Sequence, residues 1–199
     1  MEIKDLNPDP FLQFANWFQE ALTVNTISYP EAMCVSSLGE DGYPQSRYVL
    51  MKDHGPEGFV FYTNLNSNKA KSIQHHPKVA LNFYWMPLDR QIRIRGDAEL
   101  VSVEKVDKYF ASRARKSQLG AWASDQSAEL ESREELIRRL EEVDKRFEGR
   151  EVERPPHWQG FVVKPVSFQF WLQVGNRLHD SFLYEPAGGD KWKITRRNP

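Results

Sequence analysis

The chain has 199 residues, enough for one well-buried domain and small for two. A formal net charge of −1 supplies no general field for nucleic acid or an anionic membrane, and 40% apolar with 28% charged residues is an ordinary globular balance. The single cysteine, Cys34, excludes an intrachain disulfide, a CxxC redox pair and a cysteine-rich zinc site.

Met1-Glu2-Ile3-Lys4-Asp5 lacks the apolar centre of a signal peptide, and no apolar run approaches the about 20 residues of a membrane helix, so a cytoplasmic protein is expected. Asp9-Pro10 predicts an N-cap with Pro at the first helical position. Phe11, Phe14, Ala15, Phe18 and Leu22 then recur at helical spacing. The spacing predicts an N-terminal helical segment within residues 1–25 that lays its aromatic face on the body. Strand patterns follow at 32–38, 45–52 and 59–63, joined by glycine-containing turns. Within the first, Ala32-Met33-Cys34-Val35 predicts a buried, inert thiol. Ser67 caps a short helix to residue 74, which Pro77 ends. Residues 79–86 and 91–101 read as two longer strands.

Val103, Val106, Tyr109 and Phe110 mark an amphipathic helix. Ser132-Arg133-Glu134-Glu135 is a capping box that opens another, stopping near Gly149. After Pro155-Pro156 come strands at 160–164, 167–174, 181–184 and 192–195. The pattern holds about eight or nine strands and four helices, linked mostly by short turns. It predicts a mainly β fold with peripheral helices (α+β), an antiparallel barrel or sandwich rather than alternating βαβ units. No repeat, low-complexity tract or linker divides it, so residues 1–199 are expected to form a single domain.

The sequence contains no GxGxxG, GxxxxGK[ST], HExxH or GxSxG motif. His75-His76 are adjacent and cannot share a helix face as ligands, so no metal is expected. A bound phosphate must therefore be held by side chains and helix starts. In residues 47–52, alternation sends Arg47, Val49 and Met51 one way and Tyr48, Leu50 and Lys52 the other. Tyr62-Thr63 closes the next strand, and Ser67-Asn68-Lys69 opens a helix whose N–H groups suit phosphate. Gln91, Arg93 and Arg95 share one strand face. Tyr109 and Arg113, four residues apart, are expected on one helix face with Ser117 nearby, as a second anion site. Each cluster alone also fits a plain solvated face. Phe170-Trp171-Leu172-Gln173-Val174-Gly175-Asn176-Arg177-Leu178-His179-Asp180 passes from an aromatic strand to a turn with a guanidinium, an imidazole and a carboxylate. Such a wall suits a flat, anionic ligand. The alternative is a surface turn held by an Arg177–Asp180 ion pair. Two cradles and an aromatic Arg/His turn suggest two phosphorylated ligands with a flat ring between them.

These segments resemble the pyridoxine/pyridoxamine 5′-phosphate oxidase family from about residue 8 to the end. The resemblance rests on Arg47-Tyr48-Val49-Leu50-Met51-Lys52, Phe61-Tyr62-Thr63-Asn64, Ser67-Asn68-Lys69-Ala70, Arg90-Gln91, Lys108-Tyr109-Phe110-Ala111-Ser112-Arg113 and Ser117-Gln118-Leu119-Gly120-Ala121-Trp122. It continues in Gln126-Ser127, Gln169-Phe170-Trp171, Asn176-Arg177-Leu178-His179-Asp180 and the ending Trp192-Lys193-Ile194 with Arg196-Arg197-Asn198-Pro199.

The resemblance implies a split β-barrel homodimer with two FMN molecules in clefts between subunits. It implies flavin contacts at Arg47, Tyr48, Val49, Leu50, Met51, Lys52, Tyr62, Thr63, Asn68, Lys69, Gln91, Gln126, Ser127, Trp171 and Ser181. The substrate phosphate would lie on Lys52, Tyr109, Arg113 and Ser117, with Arg177 and His179 as catalytic residues against the pyridine ring. The implied reaction oxidises pyridoxine 5′-phosphate or pyridoxamine 5′-phosphate to pyridoxal 5′-phosphate, with O2 as acceptor. Two positions depart from the family pattern: Asn68 and Ser181 stand where basic residues are usual, which implies weaker flavin binding. Rival readings are another split-barrel flavoenzyme, such as a flavin reductase or an oxidase of a different aromatic substrate, and a non-catalytic carrier of FMN or pyridoxal phosphate.

Overall fold

The computed structural model describes residues 1–198. Helix α1 (Pro10–Leu22) starts as its sequence dictates, with Asp9 Oδ1 accepting from the Phe11 N–H at 2.8 Å. Nine strands follow: β1 (Ala32–Leu38), β2 (Pro44–Leu50), β3 (Asp53–Gly55), β4 (Gly58–Asn64), β5 (Lys78–Trp85), β6 (Arg90–Leu100), β7 (Trp158–Leu172), β8 (Asp180–Pro186) and β9 (Trp192–Arg196). Helix α2 (Asn68–His75) separates β4 from β5, while α3 (Val103–Ser112), α4 (Arg115–Ala123) and α5 (Arg133–Arg146) lie between β6 and β7.

All strand pairs are antiparallel, in the order β2-β1-β5-β6-β7-β4-β3, with β8 on β7 and β9 on β8. This order puts β2 and β3 at opposite ends although only Met51 and Lys52 join them. The Met51 N–H donates to Glu31 O beside β1, and the next N–H, of Lys52, donates to Val60 O in β4. Two successive residues thus bond opposite edges, and the sheet must curl into a split barrel. Its interior is aromatic: Phe59, Phe61, Phe83, Trp85, Phe168 and Phe170 are buried, and α1 lays Phe14, Trp17 and Phe18 into one end. A second core, around Val106, Phe110, Leu119, Phe147 and Trp158, fixes α3 and α4 against β4 and β7.

Several expectations need correction. The two strands predicted at 160–164 and 167–174 are one fifteen-residue strand, β7. Pro165 does not end it: the pairing with β6 shifts register between Arg95 and Gly96, which leaves Val166, next to the proline, as an extra residue of β7 itself. Gly96 is needed there, since a Cβ would stand 2.5 Å from Lys164 O. Helix α4 was not expected; its N-cap is Ala114, with no side-chain cap to advertise it. Tyr109 and Arg113 do not share a helix face, because α3 ends at Ser112 and Arg113 is extended (φ −74°, ψ 149°). Ser132 Oγ caps α5, but the Glu135 carboxylate turns to Arg138 and Arg139 instead of closing the box. Cys34 is half-buried: Met33 and Val35 take the inward positions, and alternation sends Cys34 to the outer face beside Tyr48 and Asn82. No helix among the described residues is long and apolar enough to cross a membrane.

Candidate active site

A cleft of about 500 Å³ opens where β2 and β4 meet α3 and α4. Tyr48, Val49, Leu50 and Lys52 form one wall, Tyr62, Thr63, Lys69 and Gln126 the floor, and Tyr109, Arg113, Ser117 and Trp158 the far end. Met51 is excluded: it is 5% exposed and belongs to the barrel core.

The floor follows from the start of α2. Ser67 caps that helix, which places Lys69 in its first turn facing β4. Lys69 Nζ donates to Gln126 Oε1 (2.7 Å), Thr63 Oγ1 (2.8 Å) and Ser67 Oγ (3.1 Å). All three acceptors are neutral, and no carboxylate among the described residues pairs with it. Burial, aided by the nearby Arg47 guanidinium, pushes the Lys69 ammonium down to about 8. Arg47 likewise meets only neutral oxygens, Ser37 Oγ at 2.9 Å and Gln45 O and Oε1 at 3.2 and 3.1 Å, and burial pushes its pKa down. Asn68 is exposed, and its N–H reaches Ser127 Oγ at 3.4 Å; Ser127 is held at φ 74°. Two unneutralised cations beside a helix start make an anion site.

At the far end, the Tyr62 ring lies 4.2 Å from Tyr109 and 5.0 Å from Trp158, within 11° and 2° of parallel. Burial raises the phenol of Tyr62 to about 12, and burial also raises that of Tyr109, with Arg113 opposing, so both remain O–H donors at neutral pH. The Arg113 carbon Cζ stands 4.8 Å over the Trp158 ring. Burial lowers the Arg113 pKa, with Tyr109 opposing, and its buried Nη1 finds no hydrogen-bond partner. A desolvated guanidinium without an acid is a second place for an anion.

The remaining predicted residues lie elsewhere, on the outer face of the sheet. Gln91, Trp171 and Ser181 form one row across β6, β7 and β8. The His179 ring is 4.7 Å from Trp171, and its Nδ1 accepts from the Val174 N–H at 3.2 Å, which leaves the ring proton of the neutral form on Nε2. Asn176 and Arg177 take left-handed backbones, φ 61° and 60°, a strained turn that presents Arg177 to solvent. The Arg177–Asp180 ion pair is absent: Asp180 instead binds the Met1 amine (2.8 Å) and Arg196 (2.5 Å). Ser181 is 1% exposed, and its hydroxyl pairs with Gln169 Nε2 at 2.9 Å. Sequence reasoning missed Trp158; the aromatic residue soon after Pro155-Pro156, at a strand start, was its only signal.

The curled antiparallel sheet is that of the split-barrel FMN-binding proteins. A structure described as a pyridoxamine 5′-phosphate oxidase-related, FMN binding protein from Nostoc punctiforme shares the fold (TM-score 0.74, 17% identity, 94% of this chain and 97% of that one). The chain belongs to the pyridoxamine 5′-phosphate oxidase family, a family of oxidoreductases. Residues 20–147 match the pyridoxamine 5′-phosphate oxidase model, and residues 158–199 match the pyridoxine 5′-phosphate oxidase C-terminal dimerisation region. Relatives named pyridoxine/pyridoxamine 5′-phosphate oxidase are 50% identical in Rubrobacter xylanophilus (97% of this chain, 88% of that one) and 47% identical in Gloeothece citriformis (98% and 91%). PhzG from Burkholderia lata 383, solved with tetrahydrophenazine-1-carboxylic acid, is 28% identical with a TM-score of 0.91, over 98% of this chain and 95% of that one.

Proposed function

We propose that this protein is an FMN-dependent oxidase that converts pyridoxine 5′-phosphate or pyridoxamine 5′-phosphate into pyridoxal 5′-phosphate. The observation that carries this reading is the pair of acid-free cationic positions in one cleft, Lys69, backed by the nearby Arg47, at one end and Arg113 at the other. Two phosphoryl groups, one on the cofactor and one on the substrate, suit two such positions. Relatives at 50% and 47% identity bear this activity in their names.

The residues fit a flavin phosphate. Lys69, Arg47 and the α2 start offer charge without competing carboxylates, with Thr63 and Gln126 alongside. The chemistry FMN supplies when bound is removal of a hydride equivalent from C4′ and its transfer to O2, which leaves as H2O2. Lys52, Tyr109, Arg113 and Ser117 hold the substrate phosphate and set the distance of the pyridine ring from it. Arg177 orients that ring and stabilises negative charge developing on it, and His179 donates from Nε2 to a ring substituent. With the amine substrate, water hydrolyses the resulting imine and ammonia is released. Gln91, Trp171, Arg177 and His179 come from a second copy, paired through the C-terminal dimerisation region, with Ser181 sealed behind them.

A second reading, oxidation of a larger aromatic carboxylic acid, follows from the likeness to PhzG and its ligand. The Arg113 guanidinium would receive a carboxylate too, but with Lys52, Tyr109 and Ser117 it makes four donor-bearing residues, which suit a phosphoryl group better. Anaerobic mixing of the FMN-loaded protein with pyridoxine 5′-phosphate tests the proposal. Bleaching of the flavin absorbance is expected; an unchanged spectrum overturns it.

A further inference from the structure

We propose that Trp158 is a positioning residue for the anion-binding end of the cleft. Its ring face holds the Arg113 guanidinium, so that Arg113 meets an incoming phosphoryl group with no acid to displace. This rests on the phosphorylated-substrate reading above.

Arg113 follows the last residue of α3 in an extended backbone, so the helix does not fix its side chain. Arginines are commonly held by carboxylates, which would neutralise the charge and compete with an anionic ligand. No carboxylate among the described residues pairs with Arg113. Two aromatic faces hold it instead, Trp158 at 4.8 Å and Phe110 at 5.6 Å. An aromatic face retains a guanidinium without consuming its charge, and leaves the N–H edge free. Arg113 lines the cleft beside Tyr109 and Ser117, and its buried Nη1 has no hydrogen-bond partner within the described residues.

Trp158 is itself immobilised. It is 7% exposed, its backbone N–H donates to Pro155 O at 2.9 Å, and Phe110 packs edge-on against its ring at 5.0 Å. It also stacks on Tyr62, which stacks on Tyr109, so one indole sets both Arg113 and Tyr109. Gly160 makes room for this stack: a Cβ there would stand 2.8 Å from two carbons of the Tyr62 ring. Trp158 opens β7, which ties the anion-binding end to the longest strand of the barrel.

The test is Trp158→Leu in the FMN-loaded protein, with inorganic phosphate as a competing probe and pyridoxine 5′-phosphate as substrate. Expected are an inhibition constant for phosphate and a KM each raised by about tenfold, the scale of a desolvated cation–π contact. The fall in kcat should be much smaller, FMN affinity should hold, and Trp158→Phe should recover most of the loss. A folded Trp158→Leu protein with unaltered KM and phosphate inhibition overturns the proposal. If that variant fails to fold, Gly160→Ala decides, because its methyl displaces the Tyr62 ring without deleting core atoms. Raised KM with weakened phosphate inhibition then supports the positioning role, and unaltered values overturn it. If phosphate does not compete with substrate even in the unmodified protein, the substrate reading fails and this role falls with it.

Discussion

Trp158 and Trp171 stand at opposite ends of the same strand, β7, one beside Arg113 and the other beside His179. The thirteen steps between them amount to about 40 Å of chain at about 3.3 Å per residue. No hydrogen bond, ion pair or ring contact among the described residues links the two clusters. One small ligand meets both most simply when two copies of the chain each contribute one, as the C-terminal dimerisation region suggests.

Subunit complementation tests this arrangement. Arg113→Ala and Arg177→Ala should each be strongly impaired alone. Unfolded together and refolded as an equal mixture, half of the dimers are mixed, and each mixed dimer has one intact site. Activity should return to about a quarter of the unmodified level. No recovery in a mixture shown to exchange subunits would place both residues in one chain's site.

Lys69 predicts a pH dependence. Burial lowers its pKa from an ordinary 10.5 to about 8, so the ligand-free site loses its cation as the pH rises through about 8. A bound anion restores that charge, so binding takes up a proton and should weaken above about pH 8 by up to about tenfold per pH unit. Folding stability runs the other way: the unfolded chain holds this proton more tightly, so the ligand-free fold gains stability between about pH 8 and 10.5. Flavin-fluorescence titrations across this range measure the first effect. Lys69→Arg, charged throughout, should flatten it. A flat profile in the unmodified protein removes Lys69 from the anion site.

The departure at Ser181 takes a different form in the structure. Its side chain is sealed and paired with Gln169, so an arginine introduced there must bury a long cation and break that bond. Ser181→Arg alone should destabilise by about 1–3 kcal/mol, the range for an unsatisfied buried polar group. Adding Gln169→Glu supplies a carboxylate and should restore much of the loss, which thermal melts of the two variants measure. Equal melting of Ser181→Arg and the unmodified protein would show that the position opens freely.

Much of this was legible in the chain because it is encoded locally. Asp9-Pro10, Ser67 and Ser132 each start the helix they predict, and alternation in β1 and β6 separates inward Val35, Ile92 and Ile94 from outward neighbours. Non-local features stayed hidden. The bulge that carries β7 past Pro165 needs Gly96 on another strand, and the aromatic face under Arg113 comes from Trp158, 45 residues further on. The types of most cleft residues were readable, but their division into two clusters was not, because it depends on the length and uninterrupted course of β7.

The most direct measurement is turnover in air. Purified protein with FMN is given pyridoxine 5′-phosphate or unphosphorylated pyridoxine, and aldehyde and peroxide are followed together. The phosphorylated substrate should give both in equal amounts, and the unphosphorylated one far less, because Lys52, Tyr109, Arg113 and Ser117 then lack their ligand. Arg177→Ala should lose about 1.5–3 kcal/mol in kcat/KM while keeping its flavin, the value of a hydrogen bond to a charged group. No aldehyde from the phosphorylated substrate, or equal rates with and without the phosphate, would contradict the account.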